Sequence, residues 1–292
     1  MATRHDAAIG RYAYLEIDGT EYRVYYEEAG VGIPLLLQHT AGADARQWRH
    51  VLEDQALRSR FRLIAYDLPF HGKSVPPSAC PWWTEAYRLT KDFLMKVPLT
   101  LAEGLDLDEP LYMGSSIGGH LAVDLALHYP ERFQGVIGLE AAEFTPGGFI
   151  EEFYHPEVGN DFKAHLMYGL MAPSSPEAWK RETVFVYSQG APGVFKGDLN
   201  YYSVEHDVRK TAANIDTSRC SVDILNGEYD WSGTPSAGAA LAEKIPGARY
   251  RTMSGLGHFP MSENPEAFLS EIRPVLRRLA DERDVSGKTR SG

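Results

Sequence analysis

Three residue types that together turn a hydroxyl into a nucleophile stand in this chain where loops leave predicted strands. Ser116 lies in Gly114-Ser115-Ser116-Ile117-Gly118, a G-x-S-x-G pattern, with an apolar run before it and a helical pattern over residues 121–129 after it. In that strand-to-helix context the motif is informative. A residue at the point of so tight a turn is forced into strained backbone geometry, and the flanking glycines let neighbouring backbones approach. The helix that follows aims unpaired N–H groups at the same spot, which suits a developing negative charge. Ser115 lies one residue off the apex and cannot play this part.

A serine hydroxyl is a poor nucleophile near neutral pH and needs a base. His258, in Gly255-Leu256-Gly257-His258-Phe259-Pro260 directly after the last predicted strand, is the candidate. His39 and His71 lie in loops at the same sheet edge, where the loop backbone is the expected functional element. His120 and His128 are expected to point away from Ser116, and His155, His165 and His206 to serve structure. No pair of these has the i, i+4 spacing of a helical zinc site, so no metal is expected. A base histidine in turn needs a buried carboxylate to fix its tautomer. Asp230, in Gly227-Glu228-Tyr229-Asp230-Trp231, is preferred over Glu228 and over Glu140, which follows the strand after the nucleophile.

The oxygen of a tetrahedral intermediate needs preorganised donors. One is expected from the Ile117 N–H, right after the nucleophile. The second is expected from the loop at His39-Thr40-Ala41-Gly42, with Ala41 first and Thr40 second.

The elements that must carry these groups follow from periodicity. Residues 12–17 and 21–27 alternate around Asp18-Gly19 and read as a hairpin. Short apolar runs at 34–38, 61–66, 111–115, 135–139, 221–226 and 249–253 read as buried parallel strands. Helical stretches are expected over 45–57 and 84–97. Strands alternating with helices predict a doubly wound, mostly parallel α/β sheet. Residues 143–216 break that rhythm with many aromatics and five prolines, and are expected to form a helical cap over the sheet. The expected division is therefore a core of 1–142 and 217–280, a cap of 143–216, and a flexible charged tail of 281–292. The pocket is expected to draw on His39, Trp82, Trp83, Phe144, Trp179, Tyr187 and Phe259.

With 292 residues the chain can bury a substantial core. Its net charge of -11 argues against nucleic acid or an anionic membrane as the main partner. No run suits a signal peptide or a membrane span, and the two cysteines, Cys80 and Cys220, sit in no ligand or redox spacing, so a cytoplasmic protein with free thiols is expected. The mechanism asks for no cofactor and takes a small-molecule substrate. Homo-oligomerisation is left open.

Taken together, the H-x-x-G loop at His39, DLPFHGKS from Asp67, GSSIGG, GEYDWSGTP and GLGHFPMSENPEAF resemble the α/β-hydrolase superfamily over nearly the whole chain. Within it the chain is most similar to the small capped branch of carboxylesterases, enol-lactonases and meta-cleavage-product C–C hydrolases. The resemblance implies a triad of Ser116, Asp230 and His258. It departs from the family at HTAGAD, where many members have glycine after the histidine, and at the Pro81-Trp82-Trp83 insert, which is expected to add to the acyl pocket. A serine nucleophile excludes the aspartate chemistry of the superfamily's dehalogenases and epoxide hydrolases. Ester hydrolysis ranks first, C–C or lactone hydrolysis second, and a non-hydrolytic binding protein or lyase last.

Overall fold

The computed structural model describes residues 3–78, 81–155 and 162–290, with side chains through residue 283. Eight strands form one sheet: β1 (Ile9–Ile17), β2 (Thr20–Ala29), β3 (Ile33–Gln38), β4 (Phe61–Tyr66), β5 (Leu111–Ser115), β6 (Gly135–Leu139), β7 (Ser221–Gly227) and β8 (Arg249–Met253). Their order across the sheet is β1-β2-β4-β3-β5-β6-β7-β8. β1, β2 and β4 pair antiparallel, and every pairing from β4 through β8 is parallel. The hairpin turns on Asp18 and Gly19, both at positive φ (52° and 75°), the geometry a two-residue turn needs to match strand twist.

Side-chain alternation along the strands divides the core in two. Leu35, Leu37, Leu63, Ala65, Leu111 and Met113 face the layer of α1 (Arg49–Glu53), α2 (Gln55–Arg58) and α10 (Pro265–Arg290). Leu36, Ile64, Tyr66, Tyr112 and Val136 face α3 (Lys91–Gly104), α4 (Ile117–His128) and α8 (Pro235–Lys244). β5 and β6 are buried throughout, as a parallel strand covered on both faces must be.

Between β6 and β7 the chain forms the cap: α5 (Phe162–Tyr168), α6 (Glu177–Ser188), α7 (Val194–Asn200) and a π-helical turn (Tyr201–Glu205). A short α9 (Pro260–Glu263) follows the loop after β8.

Two expectations are corrected. The stretch 45–57 is not one helix, because Asp54 turns extended and caps the Leu57 N–H, separating α1 from α2. The stretch 84–97 begins as an isolated turn (Trp82–Thr84), and the helix starts only at Lys91, where Thr90 accepts from the Phe93 N–H. Helix α10 continues to Arg290. Leu276, Leu279 and Ala280 are buried beneath it, and Arg283 donates to the carbonyls of Asp108 and Glu109. Cys220 is buried and unpaired, while Cys80 lies outside the described residues. Among the described residues no helix is long and apolar enough to cross a membrane.

Candidate active site

Ser116 ends β5 at φ 58° and ψ −110°, a conformation that strains any residue with a Cβ. The turn is held by the Ser116 N–H on the Leu139 carbonyl (3.0 Å) and by the His120 N–H on the Ser116 carbonyl (2.9 Å). The glycines are there for contact: a Cβ on Gly114 would lie 2.5 Å from the Gly118 carbonyl oxygen, and one on Gly119 2.0 Å from that of Leu139. Ile117 opens α4, so its N–H has no acceptor within the helix.

Asp230 and His258 follow β7 and β8, which run parallel to β5 in the same sheet, so the loops carrying Ser116, Asp230 and His258 emerge at one sheet edge. His258 Nδ1 donates to Asp230 Oδ2 at 2.7 Å, and the other Asp230 oxygen accepts the Ser232 N–H at 2.7 Å. This arrangement leaves Nε2 as the ring nitrogen with a lone pair. Among the described residues neither the Ser116 hydroxyl nor His258 Nε2 makes a hydrogen bond. Burial would raise the Asp230 carboxyl, but the charge and hydrogen bond of His258, with further hydrogen bonds from Glu140 and Ser232, hold it below the usual carboxylate range.

Glu140 is fully buried at φ 59° and accepts the Gly227 N–H through both oxygens (2.9 and 3.1 Å). Burial, and then the neighbouring Asp230 carboxylate, push it well above the usual range. Two carboxyls that share so small a dry space cannot both ionise, and it is Glu140 that burial and the Asp230 charge hold toward its neutral form. Glu228 turns outward and accepts from Ser254 Oγ (2.9 Å) and the Gly255 N–H (2.8 Å).

The histidine loop is fixed by Glu263, which the sequence reading did not single out. Fully buried in α9, it accepts from the N–H groups of Gly257 (2.7 Å), Phe259 (3.2 Å) and Ala172 (3.0 Å) and from Ser175 Oγ (2.8 Å). Ala172 and Ser175 belong to the cap. The His258 N–H itself donates to Leu170 of the cap at 3.0 Å.

In the loop after β3 nearly every amide is committed. The Thr40 N–H donates to Gln47 Oε1 (3.0 Å), Gly42 to Asp198 Oδ2 (2.7 Å), Ala43 to the Thr40 carbonyl (3.3 Å) and Ala45 to Asp67 Oδ1 (2.8 Å). Ala41 N–H makes no hydrogen bond among the described residues. Thr40, the second choice for an oxyanion donor, is therefore corrected: its amide is already taken. Asp67 explains the DLPFHGKS motif, since its carboxyl also accepts the Lys73 N–H (2.7 Å) and so ties two loops together.

The expected pocket residues part company. Tyr187 and Phe259 are buried together, rings 5.3 Å apart, with the Tyr187 hydroxyl on Thr40 Oγ1. His39 is buried but braces its loop: Nε2 accepts the Leu68 N–H (3.1 Å) and Nδ1 meets the Thr40 carbonyl (2.8 Å). Trp82 and Trp83 pack on each other at the surface, 47% and 67% exposed, and wall no enclosed pocket. Trp179 packs against His50 and Arg49 on the core's outer helix, and Phe144 lies under the Arg209 guanidinium. Aromatic type predicted their clustering but not the face each would take. His120 does not point away: it is buried, with Nδ1 at 3.1 Å from the Ser116 carbonyl. Lys163 of α5, also missed, is buried with its amine on the Gly190 carbonyl (3.1 Å).

Comparison with known proteins identifies the family. The alpha/beta hydrolase fold family matches residues 33–265. A 2-hydroxy-6-oxononadienedioate/2-hydroxy-6-oxononatrienedioate hydrolase of Burkholderia vietnamiensis is 30% identical over 94% of this chain and 97% of its own length. Among solved structures, a thermophilic esterase from Thermogutta terrifontis superposes with a TM-score of 0.79 at 21% identity, covering 92% of this chain and 99% of that one. The enol-lactonase from Burkholderia xenovorans gives 0.76 at 21% identity, covering 91% and 100%. Since the family match runs unbroken from the strand before the amide-rich loop to beyond His258, the chain belongs to the α/β-hydrolase fold family and is a hydrolase.

Proposed function

We propose that this hydrolase cleaves carboxylic esters of small, moderately hydrophobic or aromatic substrates through an acyl-enzyme on Ser116. The observation that carries the reading is the 2.7 Å hydrogen bond from His258 Nδ1 to a buried Asp230, which leaves Nε2 free at the edge where Ser116 sits on its strained turn. His258 takes the hydroxyl proton as Ser116 Oγ bonds to the carbonyl carbon. The oxyanion is met by the N–H groups of Ile117 and Ala41. Collapse of the tetrahedral adduct expels the alcohol, which receives the proton from His258. Water, deprotonated by the same imidazole, then adds to the acyl carbon and releases the acid and Ser116.

A second reading, hydrolysis of a vinylogous diketo acid or a lactone on the same groups, is favoured by the Burkholderia vietnamiensis relative. The deciding experiment is turnover of aryl esters of graded acyl length, a lactone and a diketo acid by the wild type and by Ser116→Ala. Ester turnover lost in Ser116→Ala, with circular dichroism unchanged, supports the first reading. Wild-type inertness on every ester overturns it, as does an unaffected mutant.

A further inference from the structure

We propose that Asp198, a cap residue, is a positioning residue for the oxyanion hole: it holds the loop after β3 in the shape that leaves the Ala41 N–H free, so that the hole is complete only with the cap seated. The inference rests on the assignment of Ala41 as an oxyanion donor.

Asp198 lies on α7, is fully buried, and has Oδ2 at 2.7 Å from the Gly42 nitrogen. Gly42 is at φ 64°, and a Cβ there would lie 2.8 Å from the Phe195 Cβ, so the loop is pressed against the same helix that binds its amide. The helix is itself anchored to the core, because Gly197 accepts the Leu89 N–H (3.0 Å) and Asn200 Nδ2 donates to the Leu89 carbonyl (3.0 Å). Of the amides in this loop, those of Thr40 and Ala43 are satisfied within the core. Only that of Gly42 depends on the cap.

A carboxylate with no exposure needs a counter-charge. His71 supplies it. Its Nε2 is 2.8 Å from Asp198 Oδ2, and its Nδ1 is 3.0 Å from the Pro69 carbonyl. With an acceptor at each nitrogen the ring donates from both and is an imidazolium. Burial would lower His71, but Asp198 raises it above the ordinary histidine value. His39, whose ring lies 4.9 Å away, is the opposite case: Nε2 accepts a hydrogen bond, and burial, then His71, push it down to about 4. The other polar groups turned toward the pair are Asp67, Tyr87 and Lys163. The motif residue His71, which the triad chemistry leaves unused, thus keeps the Asp198 charge in place under the cap.

The test compares wild type, Asp198→Ala and Asp198→Asn. Active sites are counted with a phosphonate, and kcat and KM for an aryl ester are measured alongside the affinity of phenylboronic acid, whose tetrahedral adduct on Ser116 presents an oxygen to the hole. Asp198→Ala should lower kcat per titrated site about 10- to 100-fold, part of the 10²–10³-fold cost of losing a hole donor. Its KM should stay within about twofold, and boronate binding should weaken by the same factor as kcat. Asp198→Asn should recover most of the loss, because an amide oxygen in the Oδ2 position still accepts from both the Gly42 N–H and the His71 Nε2–H. A merely structural role would reduce the number of titratable sites while leaving kcat per site and boronate affinity intact, and that result overturns the proposal. Hydrogen exchange over residues 39–44, measured without substrate, provides a readout independent of activity. Faster exchange in Asp198→Ala supports the clamp, and unchanged exchange overturns it. Absence of wild-type ester turnover would instead count against the functional reading above, with the exchange result still deciding this one.

Discussion

Replacing Ser116 with glycine should stabilise the protein relative to Ser116→Ala, although both variants lose the proposed nucleophile. At φ 58° and ψ −110° any Cβ is strained, at a cost of about 1–3 kcal/mol. Alanine keeps that Cβ and glycine removes it. The contacts that hold the turn, Ser116 N–H to Leu139 and His120 to the Ser116 carbonyl, are made by the Ser116 backbone and survive in both variants. Against the gain stands the greater freedom of glycine in the unfolded chain, about 0.4–1 kcal/mol. The difference should be about 0.5–2 kcal/mol in favour of glycine. At roughly 2–4 °C per kcal/mol for a domain of this order of size, Tm should rise by about 1–8 °C. Urea unfolding of the two variants, with matching m-values, is the assay. A glycine variant no more stable than the alanine variant would refute the claim that the fold stores strain at this residue.

Other outcomes follow from the buried charges. Glu140→Gln should preserve a neutral donor to Asp230 and change kcat by less than about threefold, whereas Glu140→Ala strips the Gly227 N–H of its acceptor and should cost about 1–3 kcal/mol in denaturant unfolding. Infrared difference spectra should show a protonated carboxyl band that Glu140→Gln removes. Burial opposes ionisation of Asp124, but His206, Lys91 and Tyr201 hold it down to about 2. A depressed carboxyl stabilises the fold above its unfolded value near pH 4, and the contribution, about 2 kcal/mol, is lost as pH falls toward 2. Asp124→Asn should flatten that acid limb while lowering stability at neutral pH. Burial brings Lys163 down to about 8. Its unfolded form keeps the proton longer, so stability should rise between about pH 8 and 10.5, and Lys163→Met should remove the slope and add about 2 kcal/mol at pH 7.

The site was legible where chemistry and backbone geometry restrict the residue type. Gly114 and Gly119 face carbonyl oxygens that no Cβ could approach, and Asp18-Gly19 sits at two positive φ values, so both motifs carry their structure in their letters. Asp230 and His258 were legible because parallel strands deliver their following loops to one edge. Asp198 and Lys163 were not, since a cap acid or lysine reads like any surface charge until the fold buries it. Trp179 and Trp83 misled for the converse reason: an aromatic ring suits an outer helix contact or an exposed turn as well as a pocket wall.

Glu263 bears on any attempt to change what this enzyme accepts. Because its one carboxylate gathers amides from the loop that carries His258, the proposed base, together with an amide and a hydroxyl of the cap, the lid is not an interchangeable part. A lid transplanted from a relative to broaden the substrate range would have to bring its own equivalents of Ala172 and Ser175. Otherwise the graft would detune the proposed general base at the same stroke as it reshaped the pocket. Libraries confined to side chains on α6, with the 170–175 segment left untouched, are the design that this shared carboxylate permits.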